Sequence, residues 1–186
     1  MNREQLEQRL DETRERLLVA IDPLPDEALQ QPATVGDWSI AAVLAHLTVW
    51  EAELVTGLMR IRDGRKPGRL LAAAAGREAY NSARHVENQE RDLDRIFDDL
   101  FQVRRQLERW LVRFKNGELS KPGQFDWLKK GTLADLVSEF SWQHEDAHLA
   151  ALEAFSAAWL DAEAAADAPP TIGLGDIEVL SHDNPE

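Results

Sequence analysis

Apolar residues recur at intervals of three and four positions through most of this chain, and this spacing predicts long amphipathic helices. The clearest stretches cover residues 3–21, 39–62, 89–115 and 132–163. Segments with proline and glycine separate them, and no series of alternating apolar residues predicts a sheet. Four such helices bury their apolar faces most simply against one another. The sequence therefore predicts an all-α fold, a four-helix bundle.

Two segments fit this pattern less well. Residues 70–90 begin with an alanine-rich run that favours helix, but Gly76 interrupts it. Residues 171–180 alternate weakly between apolar and polar, as a short strand does. One isolated strand has no partner, so we interpret residues 166–186 as an acidic, extended C-terminal arm that docks on the bundle or on a neighbouring chain. We expect a bundle domain over residues 1–165, followed by this tail.

Charge and composition exclude several classes of protein. The 186 residues carry a net charge of −13, whereas a nucleic-acid-binding surface needs clustered lysine and arginine. The first residues are charged and lack the apolar centre of a signal peptide. No stretch approaches the ~18 apolar residues that span a membrane. We therefore expect a cytoplasmic protein with no nucleic-acid or membrane partner. Because the chain has no cysteine, any metal must be held by nitrogen and oxygen ligands.

Two histidines stand within the apolar stripe of the last predicted helix. His144 and His148 occupy positions where the spacing calls for leucine or phenylalanine. Burying two imidazoles is unfavourable unless their nitrogens find partners. Side chains four residues apart project side by side on a helix, so one metal ion is the simplest partner for both. His46, on the apolar face of the second predicted helix, is the candidate third ligand.

The same segment also fits the H-E-x-x-H pattern of zinc peptidases, in which the glutamate activates a water molecule. Such an enzyme needs a third ligand further along the chain and an edge strand that holds peptide, and neither is evident. We interpret Glu145 as a solvated helix residue on a surface-leaning position, and as the candidate catalytic base. The segment fits the E-x-x-H element of di-iron bundles too, but the second such element is missing. His85 and His182 lie in polar segments and are expected to be solvated.

Two short motifs, in this order along the chain, resemble the DinB/YfiT-like superfamily. Trp38-Ser39-Ile40 followed by Val43-Leu44-Ala45-His46-Leu47 is similar to its second-helix signature, and the H-x-x-x-H pair at 144–148 is similar to its paired histidines. The resemblance covers residues 3–160. It implies a four-helix bundle that holds one divalent metal, nickel, zinc, or iron or manganese, through the three histidines. Some members resemble thiol-dependent S-transferases or isomerases, which implies a low-molecular-weight thiol as a second cofactor.

These observations give a concrete expectation for the site. We expect a cleft between the second and fourth helices, walled by Trp50, with Tyr80, Asn81 and Arg84 at its mouth to orient an anionic small-molecule substrate. The expected function is that of a metal-dependent transferase of the thiol S-transferase type, or of a hydrolase. A metal- or ligand-binding bundle without catalysis is the alternative, and a zinc peptidase is a weaker one. We expect a homodimer.

Overall fold

The structure is a computed structural model that describes residues 1–166, so the predicted arm and His182 lie outside the described residues. Within this range the chain is helical, apart from its loops and one isolated bridge between Val35 and Trp38. The helices are α1 (Arg3–Ile21), α2 (Asp26–Gln30), α3 (Ile40–Arg62), α4 (Gly68–Ala75), α5 (Arg77–Asn88), α6 (Leu93–Leu111), α7 (Asn116–Ser120), α8 (Leu133–Glu139) and α9 (Trp142–Ala166), with a 3₁₀ turn at Asp126–Leu128.

The long helices α1, α3, α6 and α9 form the bundle, which confirms the predicted fold class. They associate as two pairs, because α3 packs mainly on α6 and α1 packs mainly on α9. The helices α3 and α9 come from different pairs and touch each other much less. The shorter α4 and α5 pack on α3. Any site built between α3 and α9 therefore spans the two halves of the bundle.

Side-chain caps fix where the helices begin. The Asn2 side chain accepts a hydrogen bond from the Gln5 amide at the start of α1, in a reciprocal capping box. The Ser39 hydroxyl accepts from the Ala42 amide at 3.1 Å and starts α3. Thr132 forms a second capping box with Asp135 at the start of α8. The predicted starts of the first two long helices match these caps.

Replacing Ser39 with alanine should lower the free energy of unfolding by about 1 kcal/mol, because the α3 N-terminus loses its side-chain acceptor. Chemical denaturation measures the change. Ser82→Ala is the matched control, since the Ser82 hydroxyl donates to a carbonyl within α5 and caps no helix. Equal losses in the two variants would contradict the capping role.

Two helix predictions were wrong in their bounds. The helix expected over 89–115 is shorter, since α6 covers Leu93–Leu111 and a separate helix, α7, begins at Asn116. The helix expected over 132–163 is broken between Glu139 and Trp142. Ser138 and Ser141 lie at the break, and their hydroxyls donate to the Ala134 and Val137 carbonyls, at 2.8 and 2.5 Å. Such bonds can bend a helix, but Thr48 and Ser82 make the same bond inside unbroken helices, so this contact alone does not account for the break.

The apolar character of α3 comes from its place in the core. Among the described helices, only α3 is long and apolar enough to span a membrane. This corrects the expectation that no stretch of the chain would be. However, 72% of the most apolar window of α3 is buried inside the bundle. A core helix of this kind needs no lipid to cover it.

The bundle core consists of two apolar clusters. The first contains Leu10, Leu54 and Leu107, and the second contains Leu17, Leu44 and Leu100. Helices α1, α3 and α6 contribute buried residues to both clusters, and α9 contributes Leu149 and Leu152 to the second. Each of these four helices also carries a buried arginine or glutamate that pairs with the others. These four residues, which we term the charge layer, are Arg14 on α1, Glu51 on α3, Arg104 on α6 and Glu145 on α9.

Candidate metal centre

Three histidines from two helices meet at one point. His46 projects from α3, while His144 and His148 project from adjacent turns of α9. Their ligand nitrogens all lie within 4.8 Å of one another, and the Nε2 atoms of His46 and His144 are 2.9 Å apart. The predicted convergence of the three side chains is confirmed. Four-residue spacing aligns the α9 pair, and the apolar face of α3 directs the third ring toward them.

The environment keeps these imidazoles neutral. Burial, and then the neighbouring His144 and His148, lower the pKa of His46 to about 3. Burial and the adjacent His148 lower the pKa of His144 to about 3, and burial lowers the pKa of His148. Arg77 adds to the lowering for His46 and His144. At neutral pH each ring therefore offers a free lone pair, which is the form that binds a metal.

A cavity of about 340 Å³ opens beside His46. Its walls include Trp38, Arg84, His85 and Arg91, above small apolar residues at the start of α3. The Trp38 ring meets His46 edge-on at 4.9 Å and stacks on His85 at 4.9 Å with an interplanar angle of 6°. The expectation of a solvated His85 was wrong, because this stacking half-buries the ring. The cavity gives a small molecule a route to His46, the one cluster histidine that lines it.

Of the four predicted pocket residues, one lines the cavity and the other three lie behind it. Arg84 lines the cavity, whereas the Trp50 ring lies 6.2 Å from His144 on the inner side. The Trp50 indole donates to Asn81 Oδ1 at 2.9 Å, and the Tyr80 hydroxyl donates to Glu53 Oε1 at 2.8 Å. Burial and Glu53 raise the pKa of Tyr80 to about 12. These contacts give Tyr80 and Asn81 a supporting place behind the site.

Glu145 is not a solvated residue, which corrects the sequence interpretation. It is 2% exposed. Its Oε1 accepts from Arg14 Nε at 2.9 Å and from Arg104 Nη2 at 2.7 Å. Neutralising this buried carboxylate with two guanidiniums removes the cost of isolating a charge in the core. Its Oε2 has no hydrogen-bond partner among residues 1–166 but is itself buried. Because the whole carboxylate is closed off from solvent, it is poorly placed to take a proton from a water molecule at the histidines.

Sequence analysis missed most of the charge layer. Arg14 Nη2 donates to Glu51 Oε2 at 3.1 Å, and Arg104 Nε donates to Glu51 Oε1 at 2.7 Å. The remaining guanidinium nitrogens donate to the Leu100 and Leu10 carbonyls, at 3.0 and 2.7 Å. A signal was present in the sequence, because each of the three missed residues replaces an apolar residue within a helical stripe, as histidine does in α9.

Comparisons with known proteins bear on the fold. A family model described as the DinB superfamily matches residues 9–173. The crystal structure of an uncharacterised protein from Escherichia coli UTI89 is similar, with a TM-score of 0.68 over 86% of this chain and 95% of that one. The two chains are 12% identical, so this likeness shows the fold alone. No curated protein matches the chain.

Proposed function

The chain belongs to the DinB superfamily, and we propose that it binds one divalent metal ion through His46, His144 and His148. The observation that carries the proposal is the approach of three neutral ring nitrogens to within 4.8 Å of one another. When two neutral imidazoles face each other through nitrogen, only one of them can donate a hydrogen bond. A cation that accepts all three lone pairs satisfies the cluster better than the rings satisfy one another.

The donor set fits particular metals. Three imidazoles suit zinc, nickel and iron, and manganese is a further candidate. Among the described residues, no carboxylate oxygen joins the three nitrogens. Three protein ligands with an open position are typical of catalytic sites, whereas structural zinc sites are closed by four. The donor set therefore favours a reactive site over a purely structural one.

The residues around the histidines would bind the substrate and exclude water from it. When bound, the metal would act as a Lewis acid and lower the pKa of a water molecule or thiol. Trp38 and His85 would bound the substrate, and the small apolar residues would exclude water from one side of it. Arg84 also lines the cavity, and its positive charge would attract an anionic ligand. These features suit a small molecule.

We propose that the reaction is a group transfer of the thiol S-transferase type, or a hydrolysis, with a low-molecular-weight thiol as the second reactant in the first case. The non-catalytic binding bundle remains the alternative. The zinc-peptidase alternative loses support, because Glu145 is held by two arginines. In addition, residues 1–166 contain no strand beyond one bridge that could hold a peptide.

Metal analysis of full-length protein purified without a histidine tag tests the proposal. We expect about one equivalent of divalent metal, and stoichiometric uptake of zinc, nickel or manganese by the stripped protein. A screen for thiol transfer and for hydrolysis of small esters and amides would then separate the two reactions. A protein that takes up none of the three metals contradicts the proposal, while a metal-loaded protein inactive in both screens favours the binding bundle.

Lowering the pH from 6.5 to about 5 should destabilise the metal-free protein. The pKa of His46 and of His144 is about 3 in the folded state, against 6.5 ordinarily. In this window the unfolded chain binds protons that the folded chain does not, so the free energy of unfolding falls as the pH falls. Thermal melting at several pH values measures the slope. His144→Leu should flatten it, and an unchanged slope in that variant would count against the neutral, buried imidazole.

A further inference from the structure

The helices α3 and α9, which carry the three candidate histidine ligands, are also connected by buried ion pairs. On α3, Glu51 lies five residues after His46, and on α9, Glu145 lies between His144 and His148. At a rise of ~1.5 Å per residue, Glu51 lies about 7.5 Å along α3 from His46, whereas Glu145 lies within one turn of both histidines of α9. Direct packing between α3 and α9 is slight, since each helix packs mainly on another partner. Both helices contribute to the second apolar cluster, but apolar contact is non-directional and does not by itself fix the register that brings the imidazoles together.

The two arginines of the charge layer provide that connection. Arg104 donates to Glu51 Oε1 and to Glu145 Oε1, at 2.7 Å in both cases. Arg14 makes the same two connections, at 3.1 Å to Glu51 Oε2 and 2.9 Å to Glu145 Oε1. Each guanidinium thus bridges α3 to α9, and each is itself tied to a backbone carbonyl of a third helix.

The rigidity of these bridges follows from their chemistry. A guanidinium is planar and presents its donors in a fixed fork, so two carboxylates bound to one arginine have a defined separation. All four side chains are nearly fully buried, so water neither screens the pairs nor competes for the donors. A small shift of α9 along α3 would break several charge-assisted hydrogen bonds at once.

We propose that Arg14 and Arg104 are positioning residues for the metal site: by cross-linking Glu51 to Glu145 they set the register of α9 against α3, and so preorganise the three imidazoles. The inference rests on the proposed metal-binding function. It assigns the charge layer a role in metal affinity, through residues that are not themselves in the histidine cluster. Groups that hydrogen-bond the ligands of a metal change its affinity by about 10- to 100-fold, and we expect the lower end of this range for arginines that act through the helix register.

Zinc affinity of the full-length chain tests this role. Arg104→Met removes one bridge, and calorimetric titration of the stripped protein should give at least tenfold weaker zinc binding than wild type. Leu107→Ala is the matched control, because Leu107 is fully buried one turn further along α6 in an apolar cluster. It should destabilise the fold while leaving zinc affinity within about threefold of wild type. Arg104→Lys keeps the charge without the fork, so its affinity should fall between wild type and Arg104→Met, and it serves as the test if the methionine variant does not fold.

The outcomes separate this inference from the proposed function. If Arg104→Met and Leu107→Ala weaken zinc binding equally, the charge layer acts through general stability and the positioning role is wrong. Unchanged zinc affinity in both arginine variants is equally contradictory. A wild-type protein that binds no zinc, nickel or manganese overturns the proposed function, and this inference with it. A second measurement is the zinc-induced rise in melting temperature, which should be smaller for Arg104→Met than for Leu107→Ala.

Discussion

Replacing His144 with alanine should weaken zinc binding by more than about a hundredfold, to the point where stripped protein no longer takes up the metal. Supporting residues alone change affinity by about 10- to 100-fold, and the loss of one of three direct ligands should exceed that. His144 also lies nearest to His46, with the two Nε2 atoms 2.9 Å apart. The measurement is calorimetric titration with zinc and nickel, and circular dichroism checks that the variant is folded.

His85→Ala is the matched control for that experiment. His85 also lines the cavity beside His46, but it does not belong to the histidine cluster. This variant should take up a full equivalent of metal, and its effect should be confined to the binding of small molecules. If His85→Ala loses the metal while His144→Ala keeps it, the ligand set is assigned to the wrong residues.

Replacing Arg14 with methionine should lower the free energy of unfolding by about 3–5 kcal/mol, because it removes one partner from a buried ion-pair network. Two glutamates would then share the single guanidinium of Arg104. The Leu100 carbonyl would also lose a donor that now lies 3.0 Å away. Urea denaturation measures the change, provided that the slope with denaturant stays constant.

Two further variants show whether burial is the cause. Arg16 also reaches from α1 to α9, where it pairs with Asp146 at 3.2 Å and Glu153 at 3.1 Å, but its side chain is 56% exposed. Arg16→Ala should therefore cost less than about 1 kcal/mol. Replacing the whole charge layer with methionine and leucine should cost far less than Arg14→Met, because it leaves no isolated charge. A large loss for Arg16→Ala would contradict the explanation by burial.

The sequence predicted the parts of the fold that depend on local pattern. Helix α1 has the predicted bounds, and the Ser39 cap begins α3 as expected, because spacing and capping act within a few residues. The break before α9 was not predicted. The hydrophobic spacing continues through the break, from Val137 and Phe140 to His144, so the periodic pattern contains no sign of it.

For the candidate site, too, the sequence predicted what depends on local pattern and not what depends on pairing between distant residues. Two imidazoles in one apolar stripe were enough to identify the candidate ligands on α9. The third candidate, His46, was identified because it lies on the apolar face of a second predicted helix. Glu145 was misjudged because it was placed on the surface-leaning side of its helix, and its partners Arg14 and Arg104 are 131 and 41 residues away in the sequence. A pattern along one helix does not contain that pairing. The more informative sign was that all four bundle helices have a charge at a core position.

The wide separation of the histidines along the chain has a consequence for biosynthesis. His46 and His144 are 98 residues apart, and the ring that completes the trio comes four residues later. A nascent chain on the ribosome therefore exposes one imidazole long before the other two are made, and a single imidazole holds a divalent ion weakly. The protein should therefore acquire its metal after translation, when the ion enters a nearly complete bundle. The identity of the bound metal should then depend on the ions that are available to the finished protein.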